Sequence, residues 1–400
     1  MIKISACMIV KNEEEHIRKC LSSIRDKVDE VIVVDTGSTD GTIEIALASG
    51  ARVFQFEWEN DFSAARNYSL DQATGDWILI LDADEELQTP EGKHLREYLQ
   101  PFNADACILK LNNLLGTTES PSDISSVNVM RVFKNIPENR FEGKVHEQIL
   151  FHGRMAILKE LPHVEIIHYG YLEEIREGKK KFERNVTLLK KELELNPNDG
   201  YHWFNLGMEY RVVCNTKQAL ACFQKSYELS NEKDVFYSRL LRNLAICHLE
   251  EESYIEGIKI CKKALGIYPD YTDIWYIMAL FFKKEQKFTE AIELLQQALK
   301  LGDTSKYWTE QGTGSYRAIF TLGEIFLEMN RIDQSIGIFE LGVTNYPHVF
   351  AFYPQLSELY ISRSELRKAA DILEKGSIHH AQLLPAVQRA REIVLKLHNK

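Results

Sequence analysis

Residues 77–86 read WILILDADEE, and this stretch decides the fold of the first half of the chain. Five apolar residues lead directly into a segment in which four of five residues are acids. A short, wholly apolar run is typical of a strand buried on both faces of a parallel sheet. Clustered carboxylates repel one another unless a cation or hydrogen-bond donors face them, and Mg²⁺ and Mn²⁺ prefer carboxylate oxygens. The stretch therefore predicts a strand whose end holds a divalent cation.

Three similar apolar runs precede this strand, at residues 2–10, 31–34 and 52–56. Between the first two runs, apolar residues fall at helical spacing: Ile17, Cys20, Leu21 and Ile24. Residues 62–73 show the same spacing before the fourth run. Alternating strands and helices predict an α/β domain with a mostly parallel sheet, which we place at residues 1–170.

The second run ends in Asp35, and the polar turn TGSTDGT follows it. An acid at the carboxyl end of a parallel strand lies where such sheets bind their ligands. Asp35 therefore either accepts hydrogen bonds from a base or ribose, or caps its own turn. The first run ends in Val10 and is followed by KNEE rather than by G-x-G-x-x-G, which argues against a Rossmann dinucleotide site.

From about residue 200 the apolar positions follow helical periods, and a pattern of three small residues occurs five times. Within each triple the spacings are 12 and 7, and successive triples begin 38, 34, 44 and 34 residues apart. The triples are Gly207/Ala219/Ser226, Ala245/Gly257/Ala264, Ala279/Ala291/Ala298, Gly323/Ser335/Gly342 and Ser357/Ala369/Gly376. Small residues allow the two helices of a hairpin to approach closely. The pattern resembles the tetratricopeptide repeat of 34 residues, with insertions after the first and third units.

The two halves are joined by residues 171–198, which read as a charged connecting helix ending at Asn196-Pro197. Its lysines are typical of a solvated helix face, with a binding patch as the alternative. We assign residues 199–400 to an all-α solenoid of about five repeats. The segment Leu383–Leu397 is expected to be a helix that caps the array, as repeat proteins require.

The composition narrows the class of partner. An apolar fraction of 44% excludes a mostly disordered chain, and 48 basic against 59 acidic residues give a net charge of −11. Nucleic acid and anionic membrane surfaces are therefore not expected as partners. The seven cysteines form no C-x-x-C pair, and no stretch approaches about 18 apolar residues. We expect a cytoplasmic protein without a transmembrane segment.

Four segments, in their order and spacing, resemble the family 2 glycosyltransferases with the GT-A fold: SACMIVKNEEEHI (5–17), VIVVDTGSTDGT (31–42), DFSAARNYSLDQATGDW (61–77) and ILILDADEEL (78–87). Fusion to tetratricopeptide repeats resembles a bacterial subgroup that includes the S-glycosyltransferases of glycosylated bacteriocins. The resemblance implies a nucleotide-diphosphate-sugar donor, usually with uridine. It also implies roles for individual residues: Val10, Asn12 and Glu13 edge the nucleotide, Asp35 recognises the uracil, Arg66 contacts the nucleotide, Asp82 approaches the ribose or sugar, and Asp84 holds the metal.

Residues 129–133 and 141–147 resemble the acceptor-side segment of that subgroup. An inverting transfer needs a base, and His146 or Glu147 could serve. Neighbours on a strand point to opposite faces, so we expect only one of them to face the sugar. Many family 2 enzymes use an aspartate for which this chain has no clear equivalent, and His146 has a structural histidine as its alternative. His168 is either a second ligand of the Asp84 metal or a structural or acceptor-side histidine.

The expected function is a metal-dependent inverting transfer of a hexose from a UDP-sugar to a cysteine or serine of a peptide or protein that the repeats present. One alternative is a glycosyltransferase acting on a surface-polysaccharide or lipopolysaccharide-core acceptor. Another is a noncatalytic adaptor built from tetratricopeptide repeats. The choice between Mn²⁺ and Mg²⁺, the identity of the sugar and a homo-oligomeric state stay open.

Overall fold

The computed structural model describes residues 2–99, 103–116, 121–151, 156–170, 178–304 and 306–389. The chain forms two compact units. The first comprises Met1–Leu240 with Ser305–Trp308, and the second comprises Leu241–Thr304 with Thr309–Lys400. Within the described ranges, no helix has the length and apolar composition that crossing a bilayer requires.

The first unit begins with an α/β arrangement, as predicted. Its strands are β1 (Ile4–Val10), β2 (Glu30–Asp35), β3 (Arg52–Gln55), β4 (Trp77–Ile80), β5 (Glu85–Gln88), β6 (Ala106–Gly116), β7 (Pro121–Lys134), β8 (Asn139–Glu142), β9 (Gln148–Phe151) and β10 (Leu158–His168). The helices among them are α1 (Ile17–Ile24), α2 (Thr42–Ala48), α3 (Phe62–Gln72) and α4 (Arg96–Leu99). The four apolar runs of the sequence therefore form β1 to β4.

Eight of these strands form one sheet in the order β3-β2-β1-β4-β7-β6-β10-β5, and β8 pairs with β9 separately. The strands β1 to β4 pair in parallel, as the sequence predicts. The later strands add one parallel pairing, β10 with β6, and three antiparallel ones. The whole sheet is thus mixed, since only its first half is built from strand-helix-strand units.

The central strands are buried on both faces, which explains their unbroken apolar runs. Along β1, Ile4, Ala6 and Met8 pack into the core that contains α1, whereas Cys7 packs into the core on the α3 side. Adjacent side chains of a strand point to opposite faces, so a strand covered on both sides has no polar alternation. Because β1 pairs in parallel with both β2 and β4, the carboxyl ends of the three strands lie at one edge of the sheet.

The helical part follows from α5 (Gly178–Leu195), which ends directly before Asn196-Pro197. In the described part of the chain, ten helices then follow as five pairs: α6 (Gly200–Val212) and α7 (Thr216–Leu229), α8 (Tyr237–Glu250) and α9 (Tyr254–Ile267), α10 (Thr272–Lys284) and α11 (Phe288–Leu301), α12 (Tyr316–Glu328) and α13 (Ile332–Asn345), α14 (Phe352–Ser362) and α15 (Leu366–Ser377). All fifteen residues of the small-residue triples are buried. The repeat register read from the sequence is therefore confirmed.

Each pair turns at a residue in the left-handed region that lies seven positions after the first small residue: Cys214, Glu252, Gln286, Asn330 and Ser364, with φ between 55° and 63°. A second recurring device is a hydrogen bond from a side chain to the carbonyl of a proline six residues earlier. Trp203, Trp275 and Tyr353 each donate such a bond. Neither device was predicted. Of the expected capping helix, residues 384–389 are helical, and residues 390–397 lie outside the described part of the chain.

Candidate active site

The candidate site lies at the carboxyl edge of the sheet, where β1 has β2 on one side and β4 on the other. Chain order reverses direction there, and open α/β sheets bind ligands at such switch points. Hydrogen bonds join the loop that follows β1 to the loop that follows β2 at this edge. Asn12, in the left-handed region, donates its backbone N–H to Ser38 and accepts at its side chain from the backbone of Thr39. The backbone N–H of Glu13 donates to Thr42.

The predicted nucleotide residues of β1 and β2 lie side by side. Val10 is in register with Asp35, and its carbonyl accepts hydrogen bonds from the backbone and hydroxyl of Thr36. Asp35 is 3% exposed, and its carboxylate accepts the backbone N–H groups of Gly37 and Ser38 at 3.0–3.2 Å. Asp35 thus caps its own turn, and its role toward uracil stays a prediction.

The four acids that follow β4 form ion pairs with different partners. Asp82 contacts Arg66 at 2.8 Å and Arg131 at 3.4 Å, and Arg131 contacts Glu85 at 2.6 Å. Glu86 lies 3.7 Å from Lys19. No arginine or lysine pairs with Asp84 among the described residues, where its ionic partner is His168. Arginine or lysine therefore offsets the repulsion at the other three acids, whereas among the described residues Asp84 has a histidine as its ionic partner.

Two arginines govern the acidity of this cluster. Burial alone would raise the pKa of Asp82, but the guanidiniums of Arg66 and Arg131 hold it well below its usual range. Burial dominates at Glu85, which is 1% exposed, and raises its pKa to about 7 against the opposing effect of Arg131. Asp82 is thus a fixed carboxylate. Arg131 lies within the quoted acceptor-side segment but was not predicted as a site residue, because its partners are 46 and 49 residues away.

Arg66 joins two other predicted site residues. Its Nη2 donates to Asp82, and its Nε donates to the carboxylate of Glu147, 81 residues later. Its Nη1 is buried and has no hydrogen-bond partner in the described part of the chain. A buried donor without a partner is costly. Nη1 is therefore a donor available to an anionic ligand at this edge.

Asp84 and His168 converge as the predicted metal pair. Oδ2 of Asp84 lies 3.3 Å from Nε2 of His168, and the other ring nitrogen lies 2.8 Å from Oδ1 of Asn113. The amide oxygen of Asn113 only accepts, so Nδ1 carries a proton, and Nε2 carries a second proton toward the carboxylate of Asp84. A bound cation would take the place of the proton on Nε2 and use its lone pair. A Cβ at Gly170 would collide with both donor atoms, so glycine is required there for their approach. One carboxylate oxygen and one oriented imidazole suit a divalent cation.

His146 and Glu147 lie in the loop between β8 and β9 rather than on a strand, which corrects the geometry assumed from the sequence. Their side chains nevertheless diverge, as expected. Glu147 faces Arg66, whereas Nε2 of His146 lies 3.1 Å from Glu209 on α6. His146 has a φ of 55°, and the left-handed region reverses the direction of the chain at this point. The structure thus separates the two candidate bases.

Comparison with known families matches one segment in each half of the chain. Residues 5–113 match the Glycosyl transferase family 2, and residues 272–301, which cover α10 and α11, match the Tetratricopeptide repeat. The chain therefore carries a glycosyltransferase domain of family 2 followed by tetratricopeptide repeats. The predicted family, enzyme class and fold class are confirmed.

Two curated relatives align with part of this chain. A TPR repeat-containing protein of Synechococcus elongatus is 37% identical over 216 residues, which cover 52% of this chain and 52% of that protein. The SPbeta prophage-derived glycosyltransferase SunS of Bacillus subtilis is 29% identical over 307 residues, covering 74% of this chain and 71% of that protein. The chain thus spans about half the length of the cyanobacterial relative. Among solved structures, MamA aligns with a TM-score of 0.36 at 18% identity, covering 42% of this chain and 91% of that one.

Proposed function

We propose that the chain is a metal-dependent inverting glycosyltransferase that transfers a hexose from a UDP-sugar to a cysteine or serine of a peptide or protein bound by the repeats. The observation that carries this proposal is the convergence of Asp84 and His168 at the switch-point edge, beside an Asp82 already neutralised by arginines. An ion-pair cluster with a single acid left for a cation is suited to a diphosphate substrate, which brings both negative charge and further oxygen ligands.

The donor would lie across the carboxyl ends of β1 and β2. The buried turn of Asp35 offers a carboxylate whose oxygens retain lone pairs for the N–H of a base. Nη1 of Arg66 offers a donor to the diphosphate. Asp82, held as a carboxylate, offers acceptors to ribose or sugar hydroxyls. These assignments support a uridine nucleotide, and they leave the identity of the sugar open.

Asp84 and His168 would hold the divalent cation, Mn²⁺ or Mg²⁺. When bound, such a cation neutralises the charge that develops on the leaving diphosphate. Asn113 keeps the imidazole in the tautomer that can donate its lone pair, and Gly170 keeps the two donor atoms within reach. The carboxylate of Asp84 thereby receives a cationic partner that the neighbouring arginines do not supply.

The base we assign is His146 rather than Glu147. The carboxylate of Glu147 is bound to the guanidinium of Arg66, so its charge is already neutralised and one oxygen is occupied. His146 is about a third exposed, and the imidazole keeps one ring nitrogen beyond its contact with Glu209. Glu147 then serves to fix Arg66. A thiol acceptor, with an ordinary pKa of about 8.5, needs less basic help than a hydroxyl.

Donor specificity can be tested by the thermal midpoint of the full chain. A panel of UDP-sugars and GDP-mannose is compared with Mn²⁺ and with EDTA in its place. Ligands that bind only the folded state stabilise it, by about 2.7 kcal/mol at a hundredfold excess over Kd. We expect a rise of several degrees with one UDP-sugar, lost in EDTA. No rise with any donor would contradict the proposal and favour the adaptor.

The acceptor is tested with the same protein and donor by intact-mass spectrometry of peptide pools that carry one cysteine, one serine or neither. We expect a gain of one hexose mass on a nucleophile-bearing peptide and none on the peptide without one. Transfer to free oligosaccharides with none to any peptide would overturn the peptide acceptor while leaving the glycosyltransferase intact.

A further inference from the structure

We infer that Glu209, on the first repeat helix α6, is a positioning residue that fixes His146 as the base of sugar transfer. The inference rests on the proposed function, since it concerns the same reaction. It assigns part of the active site to the repeat helices rather than to the glycosyltransferase domain. All the residues involved belong to the first compact unit.

Glu209 is a buried carboxylate that faces two donors. The residue is 8% exposed, and its Oε1 lies 3.1 Å from Nε2 of His146 and 2.9 Å from Nδ2 of Asn185 on α5. A buried carboxylate on a helix is retained only with such partners. The helices and the loop that carry these groups share one apolar core, which includes Val145, Val186, Leu189 and Leu206. The carboxylate is thus held in one place, and its position determines that of the imidazole.

This contact determines which ring nitrogen carries the proton. An ionised carboxylate only accepts, so Nε2 of His146 must be the donor toward Glu209. In the neutral ring, Nδ1 then has the free lone pair. A carboxylate that orients an imidazole and stabilises the imidazolium formed during the reaction is the arrangement that general-base histidines use. The side chain of His146 is 32% exposed, so a substrate can reach the ring.

The backbone around His146 is held from both sides. Val145 is 2% exposed in the core shared with α5 and α6, and Glu147 is bound to Arg66. The hydroxyl of Tyr201 donates to the carbonyl of His146 at 3.3 Å. Tyr201 and Glu209 lie eight residues apart on α6 and therefore on one face of that helix. A non-glycine residue in the left-handed region is costly, and the contacts on both sides maintain it.

The step that follows conserves atoms and charge. The acceptor O–H or S–H gives its proton to Nδ1 of His146, and the oxygen or sulfur forms a bond with the anomeric carbon. The bond from that carbon to the diphosphate oxygen breaks, and its electron pair leaves with the nucleotide diphosphate. The imidazolium, protonated at both nitrogens, is stabilised by Glu209 until the proton passes to solvent.

The first test needs no transfer. Histidine ring nitrogens are labelled with ¹⁵N in the full chain, and His146 is assigned by the signal lost in His146→Gln. We expect the tautomer protonated at Nε2 in the native chain and a mixture of tautomers in Glu209→Ala. An unchanged tautomer in Glu209→Ala would overturn the inference. Because this readout is independent of catalysis, it judges the pair even if no sugar donor is ever found.

The second test measures kcat and KM. Glu209→Ala and Glu209→Gln are expected to lower kcat by about 10²-fold, since general bases contribute roughly 10²–10⁴. The KM for the donor should stay within about twofold, because the donor residues are untouched. Glu228→Gln, an exposed glutamate of α7 paired with Lys225, is the matched control and should change neither. A lowered thermal midpoint with unchanged kcat would reduce the contact to a structural role and overturn the inference.

Discussion

The candidate site and the helical repeats use burial in different ways. At the sheet edge, buried polar groups meet from distant parts of the chain, as Arg66 does with Asp82 and Glu147. In the repeats, the buried positions are small residues that recur at fixed spacing, such as Gly257 and Ala264. A pattern with a short period can be read along the chain, whereas an ion-pair cluster can be recognised only when its members are brought together. The repeats are therefore predictable from the sequence, and the ion-pair partners at the sheet edge are not.

The insertion after the third repeat is an exception inside the repeats. Asp273 of α10 is fully buried and accepts hydrogen bonds from Arg242, from the backbone of Glu310 and from Thr313. The segment between α11 and α12 is thus held by polar contacts like those of the sheet edge. Its length was evident from the 44-residue spacing, but its partners were not.

The largest expected effect comes from a substitution that disrupts the polar contacts of this insertion. Asp273→Ala removes the fully buried carboxylate that Nε of Arg242 contacts, and leaves the guanidinium with the half-exposed Glu310. Removing one member of a buried ion pair costs about 3–5 kcal/mol. We expect calorimetry to show a clear fall in the thermal midpoint. Asp371→Ala, an exposed aspartate of α15, is the control and should stay within about 0.5 kcal/mol. Equal midpoints for the two variants would show that the insertion is not held by this network.

The next effect concerns catalysis at the sheet edge. Asp84→Asn removes the only acid of its cluster that is not paired with an arginine or lysine among the described residues. We expect kcat/KM for transfer to fall by about 10²–10³-fold, the scale of one electrostatic contact at a reacting centre. Asp71→Asn, an exposed aspartate of α3 paired with Arg140, should keep its activity. Full activity in Asp84→Asn would remove this acid from the metal site.

A smaller effect tests the repeat packing with two glycines of one helix. On α9, a Cβ at Gly257 would overlap the ring of Phe281, whereas a Cβ at Gly266 would meet nothing within 4 Å. Gly257→Ala should destabilise the protein by roughly 1–3 kcal/mol through overpacking. Gly266→Ala should stabilise it by about 0.5–1 kcal/mol, since alanine favours a helix interior. Thermal or urea unfolding gives both signs, and the same sign for both would contradict the close approach at Gly257.

The smallest effect concerns Glu30, a carboxylate of β2 that accepts several hydrogen bonds. Burial tends to raise the pKa of Glu30, but hydrogen bonds from Ser5, Thr74 and Arg52 outweigh it and lower the pKa below the usual 4.5. A lowered carboxyl pKa stabilises the fold above pH 4.5, and this contribution is lost as the pH falls through the folded value.

Glu30→Gln should therefore cost about 1–2 kcal/mol at pH 7 and less at pH 3. Urea unfolding at both pH values measures the difference. The exposed Glu44→Gln on α2 is the control and should show no such pH dependence. A cost of Glu30→Gln that grows toward acid pH would contradict the assignment.

Much of the fold was predictable because it depends on local periods. The runs that became β1 to β4 are apolar because both faces of those strands are buried, and the triples of the repeats recur because each helix pair solves the same packing problem. The antiparallel strands β5 to β7 and the hairpin β8-β9 were not predicted, since their partners are set by pairing across the sheet. The left-handed turns at Glu252 and Gln286 were also missed, because neither residue is a glycine or asparagine.

In the candidate site, too, some residues were predictable from the sequence and others were not. Asp35, Asp82 and Asp84 could be named because each follows an apolar run, and the end of such a run is a local feature of the sequence. Their partners could not, since Arg131, Asn113 and Glu209 are brought to them only by folding. By itself the sequence determined the two kinds of domain, the repeat register and the acidic strand end, all of which depend on neighbours along the chain. Only the tertiary structure decided which acids are neutralised, which way His146 and Glu147 face and which helix holds the histidine, because charge and hydrogen bonding depend on distance in space.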